Sequence, residues 1–409
     1  MKAKFLLLTL PALPAVALGA VDRPRDGVAI SSQAASASRS HLFLSPFTLY
    51  ATNSNLWGAA VTIGDVSGDG RNDVVLATNS AYDDAFSYQV YLYRQDDAGH
   101  LLTPQIVPYG QFGVYANVIV GDFDGKYGLD VAVSDYQGVS VLMSRPGPAW
   151  LVGSAILSLP QASAVTSLNL DSDAHTDLVA IAFDGSGAIF RNNGVGGFGS
   201  AAWVSGASSY GSIAKGDLDS DGIQDIASLG RLAPLPNIHL FHNARDGQLH
   251  PMGGLSAQCD GWFARDLAIG DLNHDGINDI VATAGGNSPG SCIEVFYGSG
   301  GGQFAAPQVL PSHDIPSAIA VGDMNRDGRD DVVVLHEGWY SGGVYLQGPD
   351  GNLGPEQLFR VPFGGLDGKS LALGDINGDD CPDIAIGTNA GLVTLTNDCG
   401  GLFFSDFEE

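Results

Sequence analysis

Seven times along the chain, aspartates and asparagines at alternate positions lead directly into an apolar segment, and these recurrences confine the fold more tightly than any other feature. The clearest copy is GDLDSDGIQD at 216–225, where Asp217, Asp219, Asp221 and Asp225 hold loop positions one, three, five and nine. Alternate side chains of a tight turn point inward, so one short loop can supply most of the roughly six to eight oxygens that calcium takes at about 2.3–2.6 Å. Gly222 at position six permits the sharp bend. Ser228 at position twelve is not the bidentate glutamate of a helix–loop–helix site, and Ile226 to Leu229 read as a strand. The expectation is a strand–loop–strand calcium site.

The other copies follow the same plan. Loop one has Asp65, Ser67, Asp69 and Asp73; loop five Asp271, Asn273, Asp275 and Asp279; loop six Asp323, Asn325, Asp327 and Asp331. Loop seven, with Asp375, Asn377, Asp379 and Asp383, carries Asp380 at position six, a residue that tolerates a left-handed backbone. Loop three, with Asn169, Asp171, Asp173 and Asp177, has Ala174 at the turn. Loop two departs most: Asp122, Asp124 and Asp130 surround Lys126 at position five and Tyr127 at six, and an ammonium there can replace the ion. Up to seven calcium ions are therefore expected, the site at Asp122 being the weakest because of Lys126.

The loops begin 57, 47, 48, 54, 52 and 52 residues apart. A period near 50 with four strand-like runs per unit and no helical periodicity is the signature of propeller blades. The predicted fold is all-β, a seven-bladed propeller over 41–409 with four-stranded antiparallel blades and a calcium loop between the first and second strands of each. In unit six the strands are expected at Ala318 to Gly322, Asp331 to Leu335, Gly343 to Gln347 and Leu353 to Phe359. The second strands, such as DVVLA and DIVAT, are nearly continuous apolar runs that need cover on both faces, which neighbouring blades provide. The segment LFLSPFTLY from Leu42 resembles a fourth strand, and is expected to complete blade seven and so remove its open edge. Turns between strands one and two, and three and four, share one face. Cys381 and Cys399 fall on that calcium face, Cys259 and Cys292 on the opposite one, so the pairings Cys259–Cys292 and Cys381–Cys399 follow.

The acidic composition agrees. With 45 acidic and 18 basic residues the net charge is −27, about half of the carboxylates sitting at loop positions. Such a chain is not expected to bind nucleic acid or anionic membranes, which attract basic patches. Lys2 and Lys4, the apolar run from Phe5 to Leu18, and Gly19 and Ala20 read as a secretory signal over 1–20, followed by a flexible polar linker over 21–40. A secreted, periplasmic or cell-surface location is expected, without membrane insertion after cleavage, and four cysteines suit that oxidising setting.

The motif (G)DxxxDGxxD followed by an apolar strand resembles the FG-GAP, or VCBS-type, repeats of integrin α-subunit propellers and of bacterial exported proteins. The resemblance covers about 41–409. It implies the propeller fold and calcium, but several functions: adhesion receptors, calcium-dependent seven-bladed fungal lectins, and parts of polysaccharide lyases. The leading expectation is a monomeric binding or adhesion module for an extracellular protein or carbohydrate; the alternatives are a lectin with sugar sites between blades and a lyase-type carbohydrate enzyme.

No catalytic constellation stands out. Ser288 in GNSPG lacks the strand-to-helix context of a nucleophile elbow, and GGLDGKS at Gly364 falls one residue short of a phosphate loop. His239 and His242 lie three apart on a strand, point to opposite faces, and read as structural. Recognition is expected on the calcium-free face, where Tyr82, Phe86, Tyr109, Tyr136, Tyr210, Trp262, Phe263, Trp339 and Tyr340 gather. Of these, Trp262, Trp339, Tyr340 and Tyr82 are the foremost ligand candidates.

Overall fold

A computed structural model describes residues 46–52, 57–79, 88–110, 117–204, 212–230, 237–259, 265–287, 290–337, 340–362, 364 and 368–399. The expected signal and linker, and the C-terminal residues 400–409, lie outside them. Seven four-stranded antiparallel sheets are present; six are consecutive meanders, and the seventh takes its outer strand from Thr48–Ala51. The first strands are Trp57–Gly64, Val118–Gly121, Ala162–Leu168, Ile213–Gly216, Leu267–Gly270, Pro316–Gly322 and Leu371–Gly374. Every second strand begins at a position-nine aspartate: Asp73, Asp130, Asp177, Asp225, Asp279, Asp331 and Asp383. No helix occurs among the described residues, and none is long and apolar enough to cross a membrane.

The second strands are buried along their whole length, as their continuous apolar sequences require. Seven apolar clusters cover them, one between each pair of neighbouring blades. Outer strands alternate or stay half exposed, as Gln105–Pro108 and Leu151–Ser158 do, because only one of their faces meets a neighbour.

Blade seven closes as expected. Thr48–Ala51 runs antiparallel to Gly391–Leu395, with Thr48 opposite Thr394 and Ala51 opposite Gly391. Leu49 packs into the cluster between blades six and seven, while Tyr50 meets Tyr93 of blade one edge-to-face at 5.5 Å. In blade six the fourth strand is shorter than expected, Gln357–Arg360. Leu353 makes only an isolated bridge to Gln347, because the Gly348–Asn352 turn closes before the chain reaches the sheet edge.

Both expected disulfides are formed, Cys259–Cys292 and Cys381–Cys399, closing separations of 33 and 18 residues. Constraining loops of this size in the unfolded chain contributes about 3–4 kcal/mol each in the chain-entropy account.

Deletion of residues 1–52 exposes the edge of Gly391–Leu395. Calorimetry should show a fall in melting temperature of roughly 5–10 °C, and sedimentation should show association through the freed edge. An unchanged melt with a monomeric deletion product would remove the closing role of Thr48–Ala51.

Candidate functional site

Each position-nine aspartate is completely buried, and its two oxygens have separate tasks. In loop four, Leu218 N–H donates to Asp225 Oδ2 at 3.0 Å, and Asn243 N–H, at the end of the third strand, donates to Oδ1 at 2.9 Å. The same pair of bonds recurs in loops two, three, five, six and seven. In loop one the loop donor is Ser67 rather than the residue before it. Position nine thus fastens the loop to the third strand. Burial, reinforced by neighbouring loop carboxylates, pushes Asp73, Asp279 and Asp383 up to about 6 and Asp331 up to about 7. Removing a carboxylate from water disfavours its charge, and a bound cation would reverse that preference.

Position one carries the bend. Asp217 Oδ1 accepts from Ser220 N–H at 2.7 Å and Asp221 N–H at 3.2 Å, and Oδ2 accepts from Gly222 N–H at 2.9 Å. Loops one, five, six and seven wrap their first aspartate in the same way. Gly222 has φ 84°, and the residues replacing glycine at position six are also left-handed, Tyr127 at 61°, Ala174 at 66° and Asp380 at 63°. The backbone geometry of the turn is therefore kept even where the sequence departs from glycine.

Several donors converge as a hard cation would need. Asp217, Asp219 and Asp225 can bring ligand atoms within 4.8 Å of one another, as can Asp122, Asp124 and Asp130. Ser67 Oγ, Asp124 Oδ1 and Asn169 Oδ1, all at expected ligand positions, are buried without a hydrogen-bond partner. Leaving such an atom unpaired costs about 1–3 kcal/mol, which coordination would offset. The residues present therefore fit calcium, which would supply countercharge and cross-link the loop.

Cations of the chain itself also enter the loops. At loop two the partner is Arg145, with Nη1 3.0 Å from Asp124 Oδ2, whereas Lys126 is exposed. This corrects the expectation for Lys126: the left-handed turn at Tyr127 leaves position five at the surface, and the third strand delivers the guanidinium instead. Arg71 and Arg329, at position seven of loops one and six, pair with the position-five carboxylates of Asp69 and Asp327.

The opposite face is partly described. Tyr82, Phe86, Tyr210, Trp262, Phe263, Trp339 and Ser288 lie outside the described residues. Tyr109 is a core ring, 5% exposed, with its hydroxyl donating to Thr78 O, so it is not available as a ligand platform. Tyr136 and Tyr340 are 47% and 53% exposed. Tyr340, with φ 50°, lines a cleft of about 620 Å³ with Phe47, His313, Leu358 and Arg360, between the outer strands of blades six and seven.

Behind that cleft lies a group that sequence spacing does not reveal. Ser341 Oγ is 3.2 Å from His336 Nδ1, and His336 Nε2 is 2.9 Å from Glu356 Oε1. The order is that of a nucleophile, base and acid, but His336 is fully buried and its Nε2 also meets Ser312 Oγ at 3.2 Å. A base without access to a leaving group cannot return a proton to it, so the arrangement reads as a brace beneath the cleft. Near the start of the inner strands, Lys369 Nζ lies 2.6 Å from Asp266 Oδ1, which also accepts from Ser212 Oγ at 2.7 Å. Asp266 Oδ2 accepts from Ile319 N–H at 3.0 Å. Burial raises Asp266 while Lys369 draws it down. The four residues come from blades four to seven and tie them together.

With loops, strands and blades in view, the likeness to known families becomes specific. The FG-GAP-like repeat matches residues 169–228 and 271–334, and the FG-GAP repeat matches 368–396, segments that contain loops three to seven. The protein is an FG-GAP repeat β-propeller. No curated protein matches the chain in sequence. Among solved structures, the propeller is similar to a lectin from Agrocybe aegerita that recognises non-reducing terminal N-acetylglucosamine. That match has 20% identity and a TM-score of 0.54, covering 81% of this chain and 86% of the lectin. It is also similar to BBS1N, solved in complex with ARL6DN, at 15% identity and a TM-score of 0.56, covering 87% and 96%. At these identities the likeness establishes the fold.

Within this FG-GAP propeller the loops also hold neighbouring blades. Side-chain amides ending the third strands reach the loop of the preceding blade: Asn192 Nδ2 to Phe123 O, Asn243 Nδ2 to Asn169 O, Gln347 Nε2 to Asp271 O and Asn397 Nδ2 to Met324 O. Loop position eight does the same from Asn278 to Asp217 O and from Asn72 to Asp375 O. Position two of each loop inserts into the inter-blade cluster, Leu218, Leu272 and Met324 being fully buried. Sequence reasoning missed these amides because the residue that each one reaches lies 69–76 positions earlier in the third-strand cases. Asn397→Ala leaves a buried carbonyl unpaired and should cost about 1–3 kcal/mol in denaturant unfolding; a cost below about 0.3 kcal/mol would discount the clamp.

Proposed function

We propose that the protein is an exported, calcium-stabilised propeller acting as a binding module for an extracellular protein or glycan, with recognition on the calcium-free face. The observation that carries this reading is the cleft beside Tyr340. An exposed ring stands over a cavity that also presents Arg360 and His313, and the buried His336, paired with Glu356, stiffens its wall. A rigid aromatic surface with a few directed polar groups gives contact area at low entropic cost, which suits sugars and peptides.

Calcium's role in this reading is structural. Ions in the loops would neutralise carboxylates that otherwise repel and would stabilise the folded state by mass action. The disulfides fit an oxidising compartment, in agreement with an N-terminal secretory signal. Binding of an extracellular partner without any nucleic acid or membrane contact is in keeping with the charge of −27.

The lectin reading draws support from Tyr340 together with Arg360, since a ring can stack on a sugar face while a guanidinium takes its polar substituents. A lyase reading would need an open acid–base pair. Two pairs that the fold assembles, Lys369 with Asp266 and His336 with Glu356, are already engaged by other protein groups, so the binding reading is preferred.

A glycan array and an extracellular-protein display screen, run with calcium and with chelator, should return a ligand whose affinity falls at least tenfold in Tyr340→Ala. Equal binding by Tyr340→Ala would remove the cleft from the recognition surface. Addition of millimolar calcium to chelator-treated protein should raise the melting temperature by roughly 5 °C or more; an unchanged melt would count against calcium in the loops.

A further inference from the structure

Loop four differs from its six counterparts in the side chain that the third strand brings to it. The residue just before the one whose N–H bonds Oδ1 at position nine is Arg94, Met143, Arg191, Tyr297, Leu346 or Thr396 in the other blades. In blade four it is His242. Its Nδ1 lies 3.0 Å from Asp219 Oδ2 and 3.2 Å from Asp225 Oδ1. That nitrogen is shielded from solvent and makes no hydrogen bond, although it faces two carboxylates. Asp221 forms with Asp219 and His242 a group whose donor atoms lie within 4.8 Å of one another, and Asp225 belongs to the adjoining group with Asp217 and Asp219.

We infer that loop four is a site for a borderline divalent transition ion of the zinc class, with His242 Nδ1 as a nitrogen ligand beside Asp219, Asp221 and Asp225. Imidazole is a good ligand for zinc and related ions, whereas calcium prefers an all-oxygen shell. Zinc holds nitrogen and oxygen at about 2.0–2.2 Å, which separates neighbouring donors of a tetrahedral or octahedral shell by roughly 3.0–3.4 Å. The two distances at His242 fall in that range. An ion pair to a protonated ring would give similar lengths, but it would also align the N–H with a carboxylate oxygen, and here no such bond forms. The third strand explains why one residue changes the chemistry. Its alternation sends His242 toward the calcium loop while His239 faces the other side of the sheet, pairing in register with Ser228 of strand two and Gly254 of strand four.

The inference rests on the reading of the loops as cation sites, and the test separates the two. Full-length protein is stripped with chelator, saturated with millimolar calcium, and titrated with zinc chloride by calorimetry, alongside His242→Gln and His239→Gln. One zinc equivalent that survives excess calcium is expected in the parent and in His239→Gln, with at least a tenfold loss of affinity in His242→Gln. Equal zinc binding by His242→Gln overturns the assignment, as does the lack of a calcium-resistant equivalent in the parent. One equivalent of copper(II) added to the unaltered protein gives an answer independent of folding in the variant: superhyperfine splitting from a single imidazole nitrogen is expected in its paramagnetic resonance spectrum, and an all-oxygen spectrum overturns the site. If calcium gives no heat and no shift in melting while the zinc equivalent persists, the calcium reading of the other loops fails and this assignment stands.

Discussion

A carboxylate held out of water at the start of every second strand is the constraint on which this propeller is built. One oxygen takes a loop N–H and the other takes an N–H from the end of the third strand, as at Asp225. Charge-assisted bonds of this kind are stronger than neutral ones, and they join three consecutive segments at a single point. Burial opposes the charge, strongly enough at Asp331 to move it up to about 7. A positive neighbour would restore the charge.

From that point the order spreads outward. The bend wrapped around the position-one aspartate turns an apolar residue, such as Leu218 or Met324, into the cluster shared with the next blade. Each fully buried leucine or methionine there contributes about 1.5–3 kcal/mol. The same bend exposes its carbonyls to an amide from the following blade, as Met324 O is exposed to Asn397. Apolar anchor and inter-blade clamp are thus two uses of one ten-residue turn. The stability of any one blade depends on its neighbours, and the ring needs Thr48–Ala51 to complete the last sheet.

The two faces consequently differ in character. On the face of the aspartate loops, geometry is dictated by carboxylates and by the few side chains that strand three sends among them, Arg145 and His242 among these. On the other face, among the described residues, Asp266 with Lys369 and His336 with Glu356 hold the framework together. Recognition surfaces commonly sit on variable loops over a rigid scaffold.

The sequence by itself determined the number of blades, the position of each loop, the closing segment and the cysteine pairing, because these rest on local spacing and on the alternation of faces along a meander. Asp217 to Asp225 announce a turn and a strand whatever surrounds them. Tertiary structure alone decided which charges meet. Arg145 rather than Lys126 reaches loop two, Tyr109 turns into the core while Tyr340 stays exposed, and His242 arrives at Asp219 from another strand. Contacts of that kind depend on strand register and side-chain direction across a sheet, and on neighbouring blades some 70 residues away, which spacing along one chain does not encode.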